Sequence, residues 1–160
     1  MRVLSIDPGY ERLGIAVIEG AVGKERVVYS DCVRTDKKFS HGERLKIIGR
    51  EIEKVIKKYQ PEHLAIETLF LETNHKTAMK VSEARGVMLY EASGHKLEIY
   101  EYTPLQIKVA VTGYGKSTKD GVIGMVKKLV KIEKKKALDD EYDAIAVGLT
   151  HFACYRDTNR

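Results

Sequence analysis

The sequence predicts an α/β fold with a five-stranded mixed sheet: a three-strand antiparallel meander, then strand–helix–strand units, with helices on both faces. Three observations lead there. Short β-type runs separated by turn signals occupy the N-terminal part, the apolar spacing then becomes helical, and strands thereafter alternate with helices. Val3-Leu4-Ser5-Ile6 is a short apolar strand that stops at Asp7-Pro8-Gly9, a turn signal. Leu13 to Ile18 and Arg26 to Arg34 follow as the other strands of the meander. Ser40-His41-Gly42-Glu43 has capping-box form, and Leu45, Ile48, Ile52, Val55, Ile56 and Tyr59 then recur at helical spacing up to Pro61. His63 to Glu67 is a buried strand. Asn74 to Ala92 is a helix closed by Gly94, Leu97 to Tyr102 a fifth strand, and Pro104 opens a short helix to Val111. After Gly113-Tyr114-Gly115 come a lysine-rich helix, Lys119 to Val130, and a last helix from Asp139 to Phe152. The order β-β-β-α-β-α-β-α-α-α is that of a ribonuclease H-like fold.

The 160 residues are 43% apolar and 32% charged, enough for one buried core and unlike a disordered chain, so residues 1–160 read as a single domain. No apolar run approaches the ~20 residues of a membrane span, and the N-terminus has no secretory pattern, which points to a cytoplasmic protein. Two cysteines, Cys32 and Cys154, without a CxxC pair, argue against a disulfide framework and a zinc site. The net charge is +5, but its distribution is uneven. Pro104 to Lys136 holds nine lysines against two acids, so this segment carries +7 and the rest of the chain −2. Such concentration suits a polyanion partner, although part of it, Lys127-Lys128 in particular, also fits the wet side of a helix.

Four acids stand out by position. Asp7 ends the first strand, Glu67 ends the fourth, and Asp140 and Asp143 lie three apart at the start of the last helix, on one face of it. If they converge, two like charges at ~4 Å repel by about 4 kcal/mol at an effective dielectric of 20. Either their pKa values rise or divalent cations sit between them. Carboxylate oxygens suit Mg²⁺, with Mn²⁺ as a substitute, and two ions ~3.5–4 Å apart would support phosphodiester hydrolysis. Each acid also has an ordinary reading: Asp7 as a turn cap, Asp140 as a helix cap, Glu67 as a strand-end charge, Asp143 as a lysine partner.

These residues resemble the RuvC family of Holliday junction resolvases over nearly the whole chain. The resemblance rests on Ile6-Asp7-Pro8-Gly9 with Gly14, Ala65-Ile66-Glu67 with Phe70, and Asn74 with Ala84-Arg85-Gly86-Val87. It continues through Thr103-Pro104, Lys108, Gly113-x-Gly115, Lys119, and Asp140-x-x-Asp143-Ala144-x-Ala146 with Thr150-His151. It implies that Asp7, Glu67, Asp140 and Asp143 bind the metals, that Phe70 stacks on bases, and that Lys108 and Lys119 hold or polarise phosphate, Lys119 as a possible catalytic group. Lys116, freed by the flanking glycines, joins the expected DNA contacts. The resemblance further implies a homodimer that nicks a four-way DNA junction symmetrically, in homologous recombination and repair, alongside the RuvA–RuvB branch-migration complex. Small residues Ala78, Ser82, Ala84 and Gly86 on one helix fit close helix–helix approach in a dimer and equally fit core packing. Thr68 and Gly121 stand where the family usually has Gln, and Ser117 where it usually has Ala.

Other signals point elsewhere and fail. Gly115-Lys116-Ser117 ends like a P-loop but has Ala110 where that motif needs Gly, and no strand leads into it. The five histidines show no ligand spacing and read mainly as surface or capping residues, with His151 near the metals only if its helix bends. The phosphate hairpin of actin-like ATPases would need about twice this length. A YqgF-like protein would share the Asp-Pro-Gly start but not Phe70, Ala84–Val87 or Gly113–Lys119. A non-catalytic junction binder would be expected to lack one of the four acids.

Overall fold

The computed structural model describes residues 1–69, 75–132 and 137–155. Its elements are β1 (Arg2–Asp7), β2 (Arg12–Glu19), β3 (Arg26–Arg34), α1 (His41–Tyr59), β4 (His63–Glu67), α2 (His75–Gly94), β5 (Glu98–Tyr102), α3 (Pro104–Thr112), α4 (Lys119–Leu129) and α5 (Asp139–Cys154). The strands form one sheet in the order β3-β2-β1-β4-β5. β1 pairs antiparallel with β2 and β2 with β3, while β4 lies parallel to both β1 and β5. The expected mixed sheet is therefore present.

Side-chain alternation along the strands divides the core into two layers. Leu4, Ile6, Leu13, Ile15, Val17, Leu64 and Ile66 pack with Ile48, Ile52, Val55 and Ile56 of α1 and Ala84, Met88 and Ala92 of α2. Val3, Ala16, Ile18 and Ala65 pack on the other face with α3, α4 and the apolar residues of α5. Helices thus cover both faces, as expected. Element ends differ by a residue or two, with physical causes. Gln60 rather than Pro61 makes the turn out of α1, its backbone left-handed at φ 50°. Leu138 is the N-cap of α5, so Asp140 lies inside the helix and the helix-cap reading of Asp140 does not hold. The cap is instead made from within: Glu141 accepts a hydrogen bond from the Leu138 N–H at 3.1 Å.

The register places α5. Asp7 pairs with Gly14, and a Cβ on Gly14 would stand 2.0 Å from the Asp140 carbonyl oxygen and 3.3 Å from Ala144 Cβ. The first turn of α5 therefore rests on bare β2 backbone, beside the end of β1. Further along, a Cβ on Gly148 would meet Ile18 Cδ1 at 2.6 Å and Ser5 Oγ at 2.8 Å. Ser5, Gly14, Ala16 and Ala65 make a shallow floor, and α5 lies low on it. Buried Glu141 ties the same turn to β3, accepting from Ser30 Oγ at 2.6 Å. Gly14→Ala should cost about 1–3 kcal/mol or more, because the obstacle is backbone that cannot rotate away. Urea unfolding measures this, and a cost within error would show that α5 does not depend on that approach.

Candidate active site

β1 and β4 run parallel with Ile6 opposite Ile66, so Asp7 and Glu67 follow one residue later on adjacent strands. Both fall on the α5 side of the sheet by the alternation that puts Val3, Ser5, His63 and Ala65 there. Asp143, one turn into α5, faces them. Asp7, Glu67 and Asp143 line one cleft of about 230 Å³, walled by Pro104 and Ile107 of α3, Val122 of α4 and Ala146 of α5, with Lys108 and Lys119 at its polar edge.

The electrostatics carry the mark of this convergence. Burial, reinforced by the charges of Glu67, Asp143 and Asp140, pushes the Asp7 carboxyl up to about 8, against the opposing pull of Lys119. Burial and then Asp143 push Glu67 up to about 7, with Lys108 and Lys119 opposing. Asp143 is raised as well, chiefly by burial, although Lys119 Nζ bonds it at 2.8 Å. That same bond holds the Lys119 ammonium above its ordinary value. Among the described residues the Asp7 and Glu67 carboxylates have no hydrogen-bond or ion-pair partner, which leaves the turn-cap reading of Asp7 without support.

The expected meeting of four acids needs one correction. Asp140 forms an ion pair with Arg12 and does not line the cleft. In this arrangement no three Asp, Glu, His or Cys side chains among the described residues stand close enough to hold one ion. Two of the four acids are occupied by cations, because like charges this close draw in whatever counter-ion is within reach. The donor set nevertheless suits Mg²⁺ or Mn²⁺: every candidate ligand is a hard carboxylate, and three of them share one cleft.

The other sequence-derived candidates are spread more widely. Lys116 is exposed in the turn between α3 and α4 and does not line the cleft. That turn is knitted by Thr112 Oγ1, which lies 2.6 Å from Ser117 Oγ and also bonds Tyr114. A helix, not a strand, leads into it, so the P-loop reading fails on structure too. Phe70 lies outside the described residues. Of the lysines read as a solvated face, Lys127 and Lys128 are exposed on the last turn of α4.

The surface reading of the histidines is wrong for two of them. His63 and His151 are buried, with His63 Nδ1 2.9 Å from His151 Nε2 and the Tyr102 hydroxyl 2.8 Å from His151 Nδ1. Burial, then His63, lowers His151 to about 4, so it is neutral at pH 7. His151 sits about 12 Å along α5 from Asp143 at 1.5 Å per residue, away from the acids. Sequence reasoning also missed two supporting arginines. Arg85 bonds the Glu67 carbonyl through Nε at 3.4 Å and pairs with Glu101, fastening the end of β4 to α2. Arg12 holds Asp140. A cation opening a strand beside an acidic site is the only signal Arg12 leaves in the sequence, and Arg85, inside α2, leaves only its place in the Ala84–Val87 motif.

Comparison with known proteins identifies the family of the chain. The family model described as crossover junction endodeoxyribonuclease RuvC matches residues 3–151. The protein of that name from Halothermothrix orenii is 43% identical over 156 residues, 98% of this chain and 94% of the relative. Its counterpart from Thermosipho melanesiensis is 44% identical over 148 residues, 92% of this chain and 94% of the relative. Among solved structures, Thermus thermophilus RuvC in complex with Holliday junction substrate superposes with a TM-score of 0.88 at 31% identity, covering 94% of this chain and 92% of that one. The yeast mitochondrial Holliday junction resolvase, at 11% identity and a TM-score of 0.65 over 94% of this chain and 78% of that one, shares the fold.

The raised carboxylates make a pH prediction. Asp7 binds its proton more tightly folded than unfolded, so the folded state holds the extra proton and stability falls as pH rises toward 8. Between pH 6.5 and 8.5, above the range in which His151 titrates, the metal-free protein should lose stability. Asp7→Asn should flatten that slope, and Mg²⁺ should restore the wild type selectively. Thermal denaturation across this range with and without Mg²⁺ tests it; parallel curves for wild type and Asp7→Asn would contradict the convergence.

Proposed function

The chain belongs to the RuvC family of crossover junction endodeoxyribonucleases, and on that premise we propose that it cuts four-way DNA junctions in pairs of symmetric nicks by metal-assisted phosphodiester hydrolysis. The observation that carries this reading is the Asp7–Glu67–Asp143 cleft, where burial and mutual repulsion raise all three carboxyl groups above their ordinary values. Asp7, Glu67, Asp140 and Asp143 would hold the divalent ions, two per site, with Mn²⁺ able to replace Mg²⁺. When bound, such ions supply an activated water and charge stabilisation at the leaving oxygen. The protein's own groups do the rest. Lys108 and Lys119 border the cleft, and each can bond a phosphate oxygen that enters it. Lys119 releases Asp143 in doing so, which links phosphate arrival to a free carboxylate. The apolar walls from Ile107, Val122 and Ala146 limit water around the reacting phosphate. Phe70, three residues beyond Glu67, would stack on a base near the crossover, where such contacts are worth ~1–3 kcal/mol. Lys116, exposed one turn away, would contact the strand outside the cleft.

A two-fold dimer follows from a two-fold substrate. On α2, Met79, Ser82, Gly86 and Tyr90 share a face and are exposed, Met79 by 67% and Tyr90 by 76%, and nothing lies within 4 Å of a Cβ built at Gly86. Of the small residues marked in the sequence, Ala84 instead packs in the core. The exposed stripe supports α2 as the contact between two copies. Work alongside RuvA–RuvB and a cytoplasmic location complete the reading. They are supported by family membership and by the lack, among the described residues, of a helix long and apolar enough to cross a membrane.

With Mg²⁺ and a labelled synthetic four-way junction, the wild type should give paired nicks and leave a matched duplex intact. Asp7→Asn and Glu67→Gln should each lower cutting at least about a hundredfold while still binding the junction. In the same assay Phe70→Ala should bind but cut more slowly, and wild-type cutting by that variant would remove the stacking role. Sedimentation should show a dimer that Tyr90→Glu converts to monomer; an undisturbed dimer would place the contact elsewhere.

A further inference from the structure

We infer that Arg12 is a positioning residue acting as an exchangeable counter-ion: it holds Asp140 outside the cleft until a divalent ion claims that carboxylate, then turns to a phosphate of the bound DNA. The inference rests on the reading of Asp140 as a metal ligand and adds a residue to it. Four observations support it. Arg12 Nη2 pairs with Asp140 Oδ2, the same oxygen that accepts from Cys32 Sγ at 3.6 Å. Asp140 is the one proposed ligand missing from the cleft lining. The Arg12 side chain is 48% exposed, against 16% for Arg85, so its end group can leave without uncovering a buried site. Finally, Arg12 borders two surface grooves. One, of about 540 Å³, also carries Arg34 and Lys37; the other, of about 330 Å³, carries Lys80. Glu11 borders both grooves and Asp36 the larger one, so with Arg12 included the larger groove has three cations to two acids and the smaller two to one, and Glu11 is itself paired with Lys37.

The physics favours exchange over a permanent lock. An exposed arginine–carboxylate pair shifts an equilibrium by only a factor of about 1.4–5. A divalent cation with several carboxylates to share overcomes that, and a guanidinium released beside a duplex finds a phosphate that it can bond in bidentate fashion. Lys119 does the equivalent for Asp143, but from inside the cleft. Arg12 works from the opposite side, on β2, where the lysine-rich segment of α3 and α4 does not reach. A purely structural role would be to staple α5 to β2. Glu141 with Ser30, and the Gly14 contact, already do that.

The test measures Mn²⁺ binding by calorimetry or paramagnetic resonance on the DNA-free protein, and then junction binding. Arg12→Gln should tighten Mn²⁺ binding about 2- to 5-fold, and Arg12→Lys should stay near wild type. Lys37→Gln removes the same charge without touching Asp140 and should change affinity less. In a Glu67→Gln background, which is expected to bind without cutting, Arg12→Gln with excess Mn²⁺ should reduce the slope of log affinity against log salt by about one, and Arg12→Lys should keep it. Unchanged or weaker Mn²⁺ binding by Arg12→Gln, an equal gain from Lys37→Gln, or an unchanged salt slope would each overturn the exchange. Asp140→Asn separates the layers: Mn²⁺ affinity equal to wild type would remove Asp140 as a ligand and the exchange with it. Weakened binding in Asp140→Asn with no gain in Arg12→Gln would remove the exchange alone.

Discussion

The close approach of α5 to the sheet governs this molecule. Gly14 and Gly148 let the helix lie almost on the β2 and β1 backbone, and that places acids from its first turns over the ends of two parallel strands that also finish in acids. Like charges so placed repel by kilocalories, and the repulsion is answered in three ways at once. Asp7 and Glu67 hold their protons to higher pH. Asp143 takes Lys119, and Asp140 takes Arg12. On the proposed function a divalent ion would replace all three answers with one, and chemistry and stability would then rest on the same carboxylates.

The other end of α5 settles the same problem differently. Where the helix crosses the start of β4 it meets His63 with His151, two polar rings in a buried place. They bond to each other, and His151, which burial keeps neutral at pH 7, also bonds Tyr102, with Tyr100 and Tyr155 packed around the pair. Tyr102 is the register partner of Glu67, and its carbonyl accepts from the Thr68 N–H at 2.9 Å. The neutral cluster therefore anchors α5 to the strand beside the one that bears Glu67. One helix carries a fixed, uncharged foot and a strained, charged head, and the foot gives the head its position.

Most of the fold was legible because its elements are locally consistent. The capping box at Ser40, Pro104 at a helix start and the period-two strands each stated their structure in a few residues, and the strand parity that aims Asp7 and Glu67 at the same layer could be read directly. What was not legible depended on contacts across the chain. Arg12 and Asp140 are 128 residues apart and their pairing left no pattern. The pairing of His63 with His151 left no pattern either, because it is set by what packs over each ring, and that comes from β5 and α5. Glu141 turns to Ser30 while Asp143 turns to the cleft and Asp140 to Arg12, a difference fixed by helix phase and by the distance to β3.

The charge of the whole chain takes its meaning from this geometry. A protein that is positive overall but gathers carboxyl groups in its cleft draws a polyanion to its surface, while each of those groups that ionises repels a phosphate brought close to it. The two tendencies are reconciled only if positive charge enters the cleft along with the strand. Lys108 and Lys119 meet that condition on the α3–α4 side, where the sequence concentrates its lysines. The β2 side has no such run, and there a single arginine already paired to one of the acids stands at the rim. Cations held against the site's own carboxylates keep the empty cleft tolerable and are also the groups best placed to meet a phosphate. On the proposed function, counter-ion and substrate contact would be the same side chains, used in turn.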